Sequence, residues 1–231
     1  MKRLLSVLAT LVLALPITAA HAEDSPFFAE IDAYIAESVQ EFDEIPAERK
    51  RQLKKIALYM QTRLQSGLPV NLTFICTHNS RRSHMSQLWA ATAADYYGIP
   101  NVATFSGGTE ATAFNPRAVA ALERAGFRIE KGSQADNPVY TVRNGANTSP
   151  MTAFSKKYTD SSNPQENFCA VMTCSEADKN CPTVEGASFR VAIPYEDPKE
   201  FDGTPQEAAA YDERARQISR EIFWLFSQVN V

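Results

Sequence analysis

The run Cys76-Thr77-His78-Asn79-Ser80-Arg81-Arg82-Ser83 sets a thiol six positions before an arginine, between a segment that reads as a strand and one that reads as a helix. A thiolate is a nucleophile, and a guanidinium is a planar two-pronged donor to the oxygens of a tetrahedral anion. Upstream, Val70-Asn-Leu-Thr-Phe-Ile75 has the composition of a buried strand. Downstream, Met85, Leu88, Trp89, Thr92 and Tyr96 recur at helical spacing. The loop therefore ends on a helix N-terminus, where free backbone N–H groups and the helix dipole favour an anion, and thiolate over thiol. On this basis Cys76 attacks, Arg82 holds the oxyanion and Ser83 donates its hydroxyl to the sulfur. Thr77, His78, Asn79, Ser80 and Arg81 complete the cradle. Asn79 is expected to brace the loop so that its N–H groups face the anion, or to be a simple left-handed turn residue. Arg81 adds positive charge, and His78 and His84 are read as exposed loop histidines. A cysteine at this spacing can also be a small buried residue at a strand end.

The surrounding chain supplies the frame. From Pro69 onward strands alternate with helices, the pattern of a parallel α/β sandwich. Candidate strands are Val70–Ile75, Val102–Phe105, Phe168–Thr173 and Phe189–Ile193. Asn115 is a good N-cap with Pro116 at the first helical position, and Gly126 closes that helix. A last helix runs from about Thr204 to Gln228, whereas Gly132 to Gln165, rich in Asn, Ser, Thr and Pro, mixes an extra strand with long loops. Between Pro26 and Gly67, Phe28, Ile31, Ile35, Val39 and Phe42 form one apolar stripe and Leu53, Ile56, Ala57, Met60 and Leu64 another, broken at Pro46. They predict an N-terminal helical hairpin packed on the catalytic domain. The basic run Arg49-Lys50-Arg51, with Lys54 and Lys55, reads as its solvated face.

Lys2 and Arg3 precede an apolar run from Leu4 to Ala19 and then Ala20-His21-Ala22, the pattern of a secretory signal peptide cleaved after Ala22. The expected organisation is thus signal peptide 1–22, helical extension 23–67 and catalytic domain 68–231, in a periplasmic or secreted protein with no stable membrane anchor after cleavage. Losing Lys2 and Arg3 makes the chain more acidic than its formal net charge of −4, which disfavours nucleic acid or an anionic membrane as partner.

Four ordered segments carry a resemblance: the Cys76–Ser83 loop, Phe105-Ser-Gly-Gly-Thr-Glu110, Asn115-Pro-Arg-Ala-Val-Ala-Ala-Leu-Glu-Arg-Ala-Gly126 and Asp197-Pro198. Together they resemble the low-molecular-weight phosphotyrosine phosphatase superfamily, which includes the thioredoxin-coupled arsenate reductases. The resemblance implies a three-layer sandwich with a central four-stranded parallel sheet and the nucleophile loop at the carboxyl end of the first strand. It also implies that Asp197 is the general acid and that Cys174 and Cys181, after the third strand, form a redox relay with Cys76. In some reductases an acidic residue at the position of Gln87 helps to hold a monovalent cation, and Arg81 stands where many have a further cysteine.

Three functions follow from these residues. Reduction of arsenate to arsenite would use Cys76, Cys174 and Cys181, with a thioredoxin-like dithiol as reductant and no tightly bound cofactor or metal. Hydrolysis of phosphate monoesters, as in a protein-tyrosine phosphatase, would use Cys76, Arg82 and Asp197 and needs no reductant. A non-catalytic oxyanion-binding protein is the third. Exported proteins commonly close loops with disulfides, so Cys174–Cys181 can equally be a structural bridge, while Cys169 reads as a small buried hydrophobe.

Overall fold

The computed structural model describes residues 25–230, and the expected signal peptide lies outside them. Helices α1 (Ala29–Gln40) and α2 (Ala47–Gln65), joined by a 3-10 turn, precede strand β1 (Val70–Cys76), helix α3 (Arg82–Tyr96), strand β2 (Val102–Gly108) and helix α4 (Pro116–Arg124). Three short strands follow, β3 (Arg128–Lys131), β4 (Tyr140–Arg143) and β5 (Met151–Ala153). Strand β6 (Phe168–Met172), helix α5 (Ser175–Asn180), strand β7 (Ala187–Ala192) and helix α6 (Glu207–Ser227) complete the chain.

The main sheet has the order β2-β1-β6-β7, with all neighbours parallel. The four expected strands are these four, each shifted by no more than a few residues. Its two faces come from the two-residue period of the strands. Leu72 and Phe74 of β1 join Cys169 and Val171 of β6 in a large core filled by α2, α3 and α6. Ile75, Phe168, Ala170 and Met172 face a smaller core closed by α5 and Tyr158. The layers are therefore unequal, and α3, pressed between sheet and α6, is buried on nearly every side. Trp89 is its hub, stacked on Tyr34 at 4.9 Å and meeting Phe127 and Phe223 edge-on.

Helices α1 and α2 both rest on α6, more than on each other. Ser38 and Ser219 share a buried hydrogen bond of 3.0 Å. Arg216 and Arg220 of α6 pair with Glu37, Glu41 and Glu44. Arg49 departs from the expected solvated face. It pairs with Glu221 at 3.2 Å, lies 5.1 Å over the Tyr195 ring and donates to the Pro194 carbonyl at 2.5 Å. Asn115 caps α4 by accepting from the Arg117 N–H at 2.9 Å, and Gly126 follows at φ 110°. A side chain at Gly126 would meet Glu30 and Ile31 of α1 at 2.8 Å, so only glycine lets α1 approach.

The stretch read as one extra strand with loops holds two, β4 and β5, which with β3 form a separate antiparallel sheet. Strands of three or four residues are too short for their alternation to stand out in sequence.

Candidate active site

Ligands of open parallel sheets gather at the carboxyl ends of the strands, where the chain leaves one strand in opposite directions. Here β1 is that strand, with β2 on one side and β6 on the other. The Cys76 carbonyl accepts from Thr109 N–H at 3.2 Å and the Thr77 carbonyl from Glu110 N–H at 2.8 Å, tying the loop to the end of β2. A Cβ on Gly108 would come within 2.7 Å of the Thr77 oxygen and 2.8 Å of the Asn79 nitrogen. Gly108 of the Phe105–Glu110 segment is thus a condition for this loop, whereas a Cβ on Gly107 would meet Tyr158.

Asn79 is both brace and left-handed turn residue. At φ 44° it donates through Nδ2 to Ser83 Oγ at 2.9 Å and accepts at Oδ1 from the Lys156 N–H at 2.8 Å. Cys76 Sγ lies 3.1 Å from Ser83 Oγ. Ser80 Oγ donates to the Ala113 carbonyl at 2.7 Å, and the Ser80 carbonyl accepts from Asn115 N–H at 2.9 Å. Helix α3 starts at Arg82, so its first N–H groups open onto the loop.

The late Asp-Pro segment meets the loop here. Arg82 Nη2 donates to Asp197 Oδ2 at 2.7 Å and Nη1 to the Tyr195 carbonyl at 2.8 Å. Arg81 faces the same carboxylate at 3.8 Å, but its Nε donates to Tyr211 Oη at 3.0 Å, and Tyr211 in turn donates to Asp202 at 2.8 Å. Burial, reinforced by that hydrogen bond to Asp202, pushes the Tyr211 phenol up to about 12.

All four cysteines are free thiols. Cys174 is buried with Cys76 in the smaller core, and its Sγ lies 3.5 Å from Thr77 Oγ1. It is the N-cap of α5, accepting from the Ala177 N–H at 3.3 Å, and Cys181 is the half-buried C-cap. The pair thus flanks a short helix. Cys169 points into the large core, where burial raises its thiol far above the usual range.

The histidines divide. His78 is partly exposed and pairs with Glu110 at 3.2 Å. His84, expected to be exposed, is fully buried against Phe114 with ring centroids 4.2 Å apart and Nδ1 3.1 Å from Ser106 Oγ. Burial, aided by the Lys156 charge, lowers it to about 3, so it is neutral and cannot supply charge to the loop near neutral pH.

Sequence reasoning missed the segment that clamps the loop from outside. Ser155 Oγ donates to the His78 carbonyl at 3.0 Å and accepts from Thr112 N–H at 2.8 Å. Asn137 Nδ2 donates to the Ser155 carbonyl at 2.8 Å. Next to it, Lys156 accepts from Gly108 N–H at 2.8 Å, and its ammonium lies 4.4 Å over Phe154. Burial lowers that ammonium to about 8. No motif announces these residues, because Asn137 and Ser155 lie in a polar loop-rich stretch and reach the Cys76–Ser83 loop only through tertiary contacts. Gln87 donates to the Thr152 carbonyl at 3.3 Å. Among the described residues no group of three or more His, Cys, Asp or Glu is gathered as a metal site.

Residues 71–139 match the family model described as low molecular weight phosphotyrosine protein phosphatase. An arsenate reductase of Bacillus licheniformis is 29% identical over 157 residues, covering 67% of this chain and 93% of that protein. An arsenate reductase of Bacillus subtilis (strain 168) is 29% identical over 143 residues, or 62% and 84% of the two chains. A solved arsenate reductase in the phosphate binding state superimposes with a TM-score of 0.46 at 16% identity, over 70% of this chain and 99% of that one.

Proposed function

We propose that this chain belongs to the low-molecular-weight phosphotyrosine phosphatase superfamily, on its arsenate reductase-like branch, and that it reduces arsenate to arsenite through Cys76, Cys174 and Cys181, a reading supported by the family-model match and the arsenate reductase relatives. The observation that carries this reading is the position of Cys174, buried in the same small core as Cys76 and 3.5 Å from the side chain that follows it. Ester hydrolysis by Cys76, Arg82 and Asp197 does not itself require a second thiol there, whereas the reductive relay does.

In this mechanism the oxyanion enters the loop and competes with Asp197 and the Tyr195 carbonyl for the Arg82 fork. Cys76 thiolate attacks arsenic, and one oxygen leaves as water after protonation by Asp197. Cys174 thiolate then attacks the Cys76 sulfur. The S–S bond forms, the S–As bond breaks, and its electron pair stays on arsenic, which departs as arsenite. Cys181 attacks Cys174, freeing Cys76 as thiolate and leaving Cys174–Cys181. The cysteines are seven positions apart across a helix, about 10 Å at 1.5 Å per residue, whereas a disulfide needs Cα atoms about 4.4–6.8 Å apart. Helix α5 must therefore unwind for the last step. An external dithiol, thioredoxin-like in chemistry, then restores the pair; with residues 1–22 as a cleaved leader, it would act outside the cytoplasm.

The second reading is phosphate monoester hydrolysis, which the direct Arg82–Asp197 contact at 2.7 Å favours because it needs only those two residues and Cys76. The test is a paired assay on the reduced protein: arsenite formed from arsenate with a dithiol, beside hydrolysis of an aryl phosphate, each repeated with Cys174→Ser. Arsenite production that vanishes in the variant supports the relay. Ester hydrolysis that survives the variant, without arsenite formation, overturns it.

A further inference from the structure

Helix α5 has only six residues, too few to persist by itself in water. At its N-terminal end Cys174 Sγ takes the Ala177 N–H, and the Asp178 N–H bonds the Cys174 carbonyl at 3.1 Å. Its C-terminal end is held by one side chain from another element. Arg190 of β7 donates through Nη2 to the Asp178 carbonyl at 2.8 Å and to Asp178 Oδ1 at 2.6 Å, and through Nε to the Cys181 carbonyl at 3.0 Å. Carbonyls in the last turn of a helix lack intrahelical partners and carry the negative end of the dipole. The guanidinium satisfies two of them and adds an ion pair to the same turn.

We propose that Arg190 is a latch that sets when Cys181 can reach Cys174, by holding α5 wound until the guanidinium lets go. The place of this latch in a reaction rests on the relay proposed above, but the latch itself is a property of the dithiol pair. Arg190 touches neither Cys76 nor the oxyanion loop through any of its hydrogen bonds, so it is a positioning residue. β7 presents it beside β6 in the register Ala170↔Arg190, on a strand that has no reason to move as α5 unwinds. Lysine cannot replace it, because a single ammonium cannot span the Asp178 and Cys181 carbonyls with the fixed geometry of the fork.

The test uses the full chain carrying Cys76→Ser, so that only Cys174 and Cys181 exchange, since Cys169 is buried with its thiol raised far above the usual range. Oxidised glutathione supplies the oxidant: one molecule takes the two thiols to Cys174–Cys181 and leaves as two reduced glutathiones. Arg190→Gln is expected to form the disulfide about tenfold faster and to shift its equilibrium about tenfold toward the disulfide, which is about 30 mV more reducing. Arg190→Lys should behave like Arg190→Gln, and Asp178→Asn, which keeps both carbonyl contacts, should fall between them and Arg190. Melting curves identify any variant that fails to fold, in which case Asp178→Asn carries the test. Equal rates and equilibria in folded variants overturn the latch even if arsenate reduction proceeds. A faster disulfide in Arg190→Gln on the Cys76→Ser background, together with no arsenite from the chain that keeps Cys76, upholds the latch and removes the reductase reading.

Discussion

Arg82 already serves two acceptors, Asp197 Oδ2 and the Tyr195 carbonyl, and both are positions that an oxyanion would have to share or displace. Arg82→Lys keeps the charge but loses the fork. It is expected to lower kcat/KM by about a hundredfold or more in whichever assay is productive, the usual size of a lost oxyanion donor. At the same scale, His84 links the site to pH. Its folded value of about 3 lies below the ordinary 6.5, so between those values the unfolded chain binds the proton and the folded chain does not. Stability contributed by neutral His84 is complete above pH 6.5 and is lost as pH falls toward 3, up to a few kcal/mol. Urea midpoints should therefore drop between pH 7 and pH 5, and His84→Gln should flatten that slope. An unchanged slope would assign the acid sensitivity to other groups.

Among the elements, two glycines decide close approaches. Gly126→Ala places a Cβ 2.8 Å from Glu30 and Ile31 at φ 110°, and is expected to cost about 2 to 4 kcal/mol from overpacking and backbone strain. Thermal denaturation would measure that loss, and faster proteolysis before Ile45 would locate it at α1. Gly108→Ala drives the β2 end into the Thr77 carbonyl and the Asn79 nitrogen, so it should reduce activity more than stability. A variant with wild-type kcat/KM would mean that the loop tolerates the displacement.

For the whole molecule, α1 and α2 are part of the core, since Ile31, Ile35, Leu53, Ile56 and Met60 are all at most 1% exposed. Removing residues up to 66 uncovers their partners on α6. At about 1.5–3 kcal/mol for each large side chain, the loss is roughly 10 kcal/mol, comparable to the entire stability of a typical domain. The shortened chain is expected to show no cooperative melt by calorimetry, and a sharp transition would mean that residues 67–231 fold alone. The same helices reach the chemistry through Arg49, whose contact with the Pro194 carbonyl anchors the segment that leads to Asp197.

The features legible in the sequence were local: a strand that runs into Cys76, a helix that begins where the loop ends, the Asn115 cap, two amphipathic stripes on either side of Pro46, and the four strands of the main sheet. These were legible because periodicity, capping and loop spacing act over a few neighbouring residues. Tertiary structure alone decided which distant groups meet. It paired Arg82 with Asp197 across 115 positions, buried His84 beneath Phe114, turned Arg49 from solvent to Glu221, and set Arg190 against the end of α5. None of these has a sequence period. Each depends on the order in which strands enter the sheet and on which charged group finds a partner when its element is covered.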